Sequence, residues 1–96
     1  MRALKLMADY GCFPLWEASP GHVGNVDPET LPISESLKTD LARWAASYDK
    51  TLNADEPLRS GFEAEADEKQ FKQQGHVLGK RLQAELGADW MIKVKV

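Results

Sequence analysis

The sequence predicts an α+β domain in which two helices pack on a small β-sheet, in the order strand, loop, helix, helix, strand. Three observations support this prediction: apolar residues alternate near both ends of the chain, two central segments have helical spacing, and a proline-rich stretch precedes the first of them. The 96 residues, 43% of them hydrophobic and 28% charged, predict a single folded domain over residues 1–96, because a second core would need a longer chain.

Alternating side chains predict a strand near each end of the chain. Within residues 2–8, Leu4 and Leu6 share one face and Lys5 lies on the other. Within residues 90–96, one face carries Trp90, Ile92, Val94 and Val96. Because two strands alone are marginally stable, we expect either an additional short strand within residues 9–33 or strand addition from another chain. The helical connection permits parallel pairing of the terminal strands, and antiparallel pairing stays open.

A first helix is predicted over residues 34–53. Its apolar stripe follows spacings of three and four residues and consists of Leu37, Leu41, Trp44, Ala45, Tyr48 and Leu52. Ser34 follows Pro32 and precedes the acidic Glu35, so we expect the Ser34 hydroxyl to cap the helix.

A second helix is predicted over residues 66–86, with an apolar stripe formed by Phe71, Gly75, Leu78, Leu82 and Leu86. Gly87 is expected to end this helix in a left-handed conformation. Gly75 and Gly79 each cost about 1 kcal/mol relative to alanine inside a helix. We therefore expect the first helix or the sheet to approach this face closely.

Residues 9–33 are predicted to form a long, turn-rich loop, since they hold four of the five prolines and three of the seven glycines. Loops longer than about 12–15 residues are uncommon unless they are functional or packed on themselves. The sequence leaves two roles open for the loop aromatics Tyr10, Phe13 and Trp16: they pin the loop to the core, or they present an apolar patch to a partner.

Charge is distributed unevenly along the chain. Residues 49–68 hold two Lys/Arg against seven Asp/Glu, a net charge of −5, whereas residues 69–96 carry +4. The acidic residues of the middle block are Asp49, Asp55, Glu56, Glu63, Glu65, Asp67 and Glu68. They predict an acidic corner where the two helices connect, which is either a solvated helix start or a partner-binding surface. The overall charge of −3 argues against nucleic acid as a direct partner.

The sequence gives no support for a membrane span, a metal site, a nucleotide site or any cofactor. No apolar run reaches the roughly 18–20 residues of a transmembrane helix, and no signal peptide is recognisable, so we expect a cytoplasmic protein. Cys12 is the single cysteine, which excludes an internal disulfide, and with His22 and His76 it gives no zinc-ligand spacing. No catalytic residue is predicted.

Several sequence blocks resemble those of a group of small bacterial proteins. The opening block, Leu-Met-Ala-Asp-Tyr-Gly-Cys-Phe-Pro-Leu-Trp, spans residues 6–16, and further blocks fall at residues 23–28, 31–34, 44–45, 48–49, 51–53 and 60–62. Some members of this group are similar to immunity proteins of bacterial contact-dependent growth-inhibition systems, which bind and block a toxin domain. The resemblance implies a non-catalytic protein, and it carries no residue role over to this chain.

We therefore interpret the chain as an immunity protein that occludes a cognate toxin, with a nuclease as the expected toxin class. A nuclease site is positively charged, so an acidic patch opposes it and accelerates encounter. The expected partner-binding residues are the loop aromatics, as buried anchors, and six residues of the acidic corner: Tyr10, Phe13, Trp16, Asp55, Glu56, Glu63, Glu65, Asp67 and Glu68.

Two alternatives come from other classes of protein. A small enzyme or ligand-binding domain would use a pocket in the 9–33 loop lined by Asp9, Tyr10, Cys12 and His22, with the last two within hydrogen-bond reach of each other. A self-associating structural protein would use an exposed strand edge. The sequence leaves the oligomeric state open.

Overall fold

The computed structural model describes residues 2–52, 61–62 and 64–96. In chain order these form strands β1 (Arg2–Leu6), β2 (Leu15–Glu17) and β3 (Asn25–Val26), a 3-10 helix (Pro28–Thr30), helices α1 (Glu35–Asp49) and α2 (Glu65–Leu86), and strand β4 (Trp90–Val94). The predicted α+β class, with two helices on a small sheet, is confirmed.

The four strands form one mixed sheet in the order β3-β2-β1-β4. β1 pairs antiparallel with β2 and parallel with β4, because the chain crosses over through both helices before it returns beside β1. The additional strand expected within residues 9–33 is confirmed, and the terminal strands use the parallel pairing that the helical connection permits.

The expectation that residues 9–33 form one long loop is wrong, because this stretch contains β2, β3 and the 3-10 helix. The side chain of Asn25 holds the β2–β3 hairpin together. The Phe13 N–H donates to Asn25 Oδ1 at 2.8 Å, and Asn25 Nδ2 donates to the carbonyls of Phe13 and Leu15 at 2.7 and 2.9 Å. β2 has three residues and β3 has two, so neither is long enough to show an alternating pattern in the sequence.

Helix α1 begins at its predicted cap and ends four residues early. The Leu37 N–H donates to Ser34 Oγ at 3.2 Å, which confirms the N-cap. At the other end, the Thr51 hydroxyl donates to the Tyr48 carbonyl at 2.6 Å, within a tight turn. Leu52 therefore leaves the apolar stripe and is 46% exposed.

Helix α2 starts one residue before the predicted boundary and ends at the predicted Leu86. Gly87 has a positive φ of 88°, as expected of its cap, but its ψ of −172° is extended rather than left-handed helical. Gln83, in the last turn, ties the helix to the outer side of β4. Its Nε2 donates to the Trp90 carbonyl at 2.7 Å, and its Oε1 accepts from the Ile92 N–H at 3.3 Å.

The hydrophobic core lies between the two helices and the inner face of the sheet. Its fully buried large side chains are all leucines: Leu4, Leu6, Leu15, Leu37, Leu41, Leu78 and Leu82. Burying a leucine side chain stabilises the folded state by about 1.5–3 kcal/mol. This leucine set therefore fixes how the helices sit on the sheet.

The expected close approach at Gly75 and Gly79 is confirmed: Trp44 of α1 and the C-terminal Val96 approach Gly75, and Val94 of β4 approaches Gly79. A β-carbon at Gly75 would lie 2.8 Å from Val96 Cγ1 and 3.0 Å from Trp44 Cζ2. A β-carbon at Gly79 would overlap Val94 Cγ2. Side chains longer than a hydrogen atom would therefore hold α2 away from β4.

Polar contacts join the start of α1 to the second half of α2. Both oxygens of the Glu85 carboxylate accept hydrogen bonds from Ser34, at 2.6 Å from its N–H and 2.9 Å from its hydroxyl. Arg81 pairs with Asp40 at 2.5 Å and donates to the Ser36 hydroxyl at 3.3 Å. Such partly exposed pairs contribute about 0–1 kcal/mol each, so they orient the two helices more than they stabilise them.

Candidate partner-binding surface

The structure places the first predicted anchor, Tyr10, inside an aromatic cluster. Its ring stacks on Tyr48 with 4.5 Å between ring centroids, and its hydroxyl shares a 2.7 Å hydrogen bond with the Thr51 hydroxyl. The Gly11 N–H next to it donates to Asp49 Oδ1 at 3.1 Å. These contacts fasten the start of the 9–33 stretch to the end of α1, so Tyr10 has the pinning role that the sequence left open.

The aromatic cluster continues from α1 to α2. Trp44 stacks on Phe71 with 4.5 Å between centroids and donates its Nε1–H to the Phe71 carbonyl at 3.0 Å. The rings of Tyr48 and Phe62 also pack against Phe71, with 5.7 and 5.1 Å between ring centroids. Burial, followed by the neighbouring Tyr10, raises the pKa of Tyr48 above its ordinary value of 10.0.

The raised pKa of Tyr48 predicts that alkaline pH destabilises the fold. An unfolded chain ionises this tyrosine near pH 10.0, whereas the folded chain keeps it protonated to higher pH. The resulting stabilisation is fully present below the unfolded pKa and is lost as the pH rises through the folded pKa. We expect the free energy of unfolding, from urea titrations at pH 9, 10 and 11, to fall less steeply in Tyr48→Phe than in the wild type. Identical slopes would contradict the raised pKa.

The other two predicted anchors, Phe13 and Trp16, lie on different faces of the molecule. Phe13 is 46% exposed and lies beside α1. Trp16 is in register with Lys5 of β1, on the face of the sheet opposite to the helices, and it donates its Nε1–H to the Met7 carbonyl at 2.9 Å. The three aromatics therefore do not form one patch.

The acidic corner is described in part. Asp55, Glu56 and Glu63 lie outside the described residues. Glu65, Asp67 and Glu68 are exposed in the first turn of α2, and Glu68 pairs with Lys72 at 3.4 Å. No side-chain hydrogen bond caps this helix at Ala64, so the three carboxylates offset the positive end of the helix dipole.

A groove of about 310 Å³ runs along α1 next to Phe13, and we call it the α1 groove. Its apolar lining consists of Cys12, Phe13, Pro14, Pro28, Ala42, Ala45 and Ala46, and its charged lining of Asp27, Glu29, Lys38 and Asp49. The alanines of this lining were not predicted from the sequence, where Ala45 belongs to the apolar stripe of the first helix and Ala42 and Ala46 have no predicted role. The sequence does contain a pattern that indicates this face: Lys38, Ala42, Ala45 and Asp49 are spaced by four, three and four residues. They form a second helical stripe beside the buried one.

Lys38 is already engaged at one end of the α1 groove. Its ammonium contacts Glu35 at 3.0 Å and Glu29 at 3.4 Å. The hydrogen bond to Glu35 is the main reason why the pKa of Lys38 lies above its ordinary value. Lys38 is therefore held by two carboxylates of its own neighbourhood.

The alternative pocket built on Cys12 and His22 does not form. Cys12 lines the α1 groove, and its Sγ lies 3.5 Å from the Tyr10 carbonyl. His22 lies in the exposed turn between β2 and β3, where its N–H donates to the Ser19 carbonyl, and it does not line the groove. The two side chains that a thiol–imidazole site needs are thus in different places.

The described residues hold neither a metal-site cluster nor a membrane-spanning helix. Within residues 2–52, 61–62 and 64–96, no three His, Cys, Asp or Glu side chains are grouped as a metal site would need. Neither helix of this described part is long and apolar enough to cross a membrane.

The chain matches a known protein family over nearly its whole length. A family model described as Serratia CdiI immunity protein-like matches residues 2–95. None of the curated proteins compared with the chain matches it. The matched range includes all four strands and both helices, so the similarity concerns the whole fold and not one motif.

Proposed function

Because the chain belongs to the Serratia CdiI immunity protein-like family, we propose that it is an immunity protein that binds a nuclease toxin in the cytoplasm and blocks it. The family match over residues 2–95 carries the immunity role. That the toxin is a nuclease goes beyond the family match, and this assignment is supported by the charge of the exposed surface. The mechanism is occlusion by binding and needs no catalytic residue of the immunity protein.

The electrostatic argument starts from the substrate of the toxin. A nuclease holds the phosphates of its substrate in a positively charged site. Surface carboxylates on an inhibitor are attracted electrostatically to this site. Glu65, Asp67 and Glu68 are exposed within a single turn of α2. Such a concentration of like charge raises the rate of encounter with an oppositely charged surface and matters less for the final affinity.

The test of the proposal uses the product of the reading frame directly upstream as the toxin. We expect the purified proteins to form an equimolar complex on size-exclusion chromatography and the complex to have no nuclease activity on plasmid DNA or RNA. Absence of a complex would contradict the proposal. Inhibition of a toxin that has a different activity would retain the immunity role and refute the nuclease.

Neutralising the three acidic-corner carboxylates in the first turn of α2 should slow association with the toxin. We expect Glu65→Gln/Asp67→Asn/Glu68→Gln to lower the association rate constant about tenfold at low salt, with the difference shrinking as salt screens the charges. Stopped-flow fluorescence between about 20 and 500 mM salt measures this.

A matched control separates the position of these charges from the net charge of the protein. Gln73→Lys/Ala84→Lys/Ala88→Lys changes the net charge by the same amount at other exposed positions. If the control variant slows association as much as the neutralised variant does, total charge and not the acidic corner steers the encounter.

A further inference from the structure

We propose that the α1 groove is the docking site for the toxin and that it receives a lysine or arginine side chain from the toxin's basic surface. This inference rests on the proposed function, because it takes the charge of the partner from the nuclease assignment. It differs from the acidic-corner argument, since it concerns the contact in the final complex and not the speed of approach.

The shape of the α1 groove is already formed in the free protein. The backbone of Phe13 is held on both sides by Asn25, through hydrogen bonds of 2.8 Å to its N–H and 2.7 Å to its carbonyl. Its ring nevertheless remains 46% exposed. Ala42, Ala45 and Ala46 leave room opposite, so a volume of about 310 Å³ stays open. A preformed apolar pocket of this kind binds an inserted side chain without first ordering its own residues.

The charged lining of the groove selects the chemistry of the inserted group. Asp27, Glu29 and Asp49 line it together with one cation, Lys38, which contacts Glu29 and Glu35. Asp27 and Asp49 each accept one backbone N–H through Oδ1, at 2.9 and 3.1 Å, which uses part of the acceptor capacity of a carboxylate. A long cationic side chain therefore suits the site: its carbon stem covers Phe13 and the alanines while its head reaches these carboxylates.

Two other surfaces of the described residues fit a basic partner less well. The larger groove between α1 and α2, about 880 Å³, is lined by two acidic and two basic residues, Asp40, Asp67, Arg43 and Lys50, so its charges balance. The open face of the sheet carries Lys5 and Lys93, which are in register on β1 and β4, and these would repel a basic surface. Charge complementarity therefore favours the α1 groove.

The experiment places a fixed cation in the α1 groove and compares it with the same change elsewhere. Ala46→Arg fills the groove from an exposed helix position, and Ala84→Arg makes the identical change on an exposed position of α2. With the product of the upstream reading frame as the probe, we expect Ala46→Arg to raise Kd about tenfold or more and Ala84→Arg to leave it within about twofold. Circular dichroism and urea titration establish that both variants are folded.

The outcomes separate the docking site from the function. If the wild type and both variants bind the toxin equally, the α1 groove is not the docking site and the immunity function stands. If the wild type does not bind, the proposed function fails and the docking inference fails with it. If Ala46→Arg instead abolishes a concentration-dependent dimer in analytical ultracentrifugation, a second copy of the chain occupies the groove and the inference is overturned.

Discussion

Replacing Trp44 by alanine should lower the free energy of unfolding by about 3–5 kcal/mol, the usual cost of deleting a buried large aromatic side chain. Trp44 is 3% exposed, stacks on Phe71 and donates its Nε1–H to the carbonyl of the same residue. Its ring also contacts the surface of Gly75, so alanine would leave an empty space where α1 and α2 meet. Since the free energy of unfolding of a domain of this size is about 5–15 kcal/mol in total, the variant should lose a large fraction of its stability. Urea titration followed by circular dichroism measures the loss.

Two control variants test whether the loss of stability comes from the buried ring of Trp44. Trp44→Phe keeps an aromatic ring against Phe71 and removes the Nε1 donor, so we expect it to cost less than the alanine variant. Val77→Ala, at a helix position that is 49% exposed, should change stability by no more than about 0.5 kcal/mol. If Trp44→Ala proves as mild as Val77→Ala, the cluster does not hold α1 and α2 together as described.

The sequence predicted those elements that have a long periodic pattern. Helix α2, with 22 residues, was placed within one residue at each end, and Ser34 was identified as the cap of α1. The wrong predictions concern short segments whose structure depends on local hydrogen bonds and turns. β2 and β3 are too short for periodicity, and the side chain of Asn25 holds them, which no spacing rule detects. Leu52 continues the helical spacing but lies beyond a turn that ends α1 at Asp49.

The candidate site was harder to predict than the fold because it depends on which face each residue reaches. Tyr10, Phe13 and Trp16 are close in sequence, but Tyr10 lies in a half-buried aromatic stack, Phe13 beside the α1 groove and Trp16 on the open face of the sheet. Only Trp16 lies in a strand, whereas Tyr10 and Phe13 belong to the irregular segment between β1 and β2, so proximity in sequence does not produce a shared patch. The alanines of the α1 groove carry no chemistry of their own, and only the folded arrangement shows that they leave an open volume.

Replacing Gly79 by leucine should lower the free energy of unfolding by about 3 kcal/mol, the upper end of typical overpacking costs. A β-carbon here would already overlap Val94 Cγ2 and would lie 4.0 Å from Leu6 Cδ2, so three further carbon atoms have no space between α2 and the sheet. Gln73→Leu, on the exposed side of the same helix, is the matched control and should change stability by no more than about 0.5 kcal/mol. Equal stabilities of the two leucine variants would contradict the close approach of α2 and β4.

A double-mutant cycle with Val94 identifies the cause of the cost. In the wild type, Gly79→Ala gains about 1 kcal/mol of helix propensity but forces Val94 to move, so we expect a net loss of stability. Val94→Ala removes the overlapping methyl group. In that background Gly79→Ala should become stabilising by about 1 kcal/mol, because only the propensity gain remains. If Gly79→Ala has the same effect in both backgrounds, the glycine is not required by contact with Val94. A change of sign would establish that β4 is the neighbour that requires glycine at this position of α2.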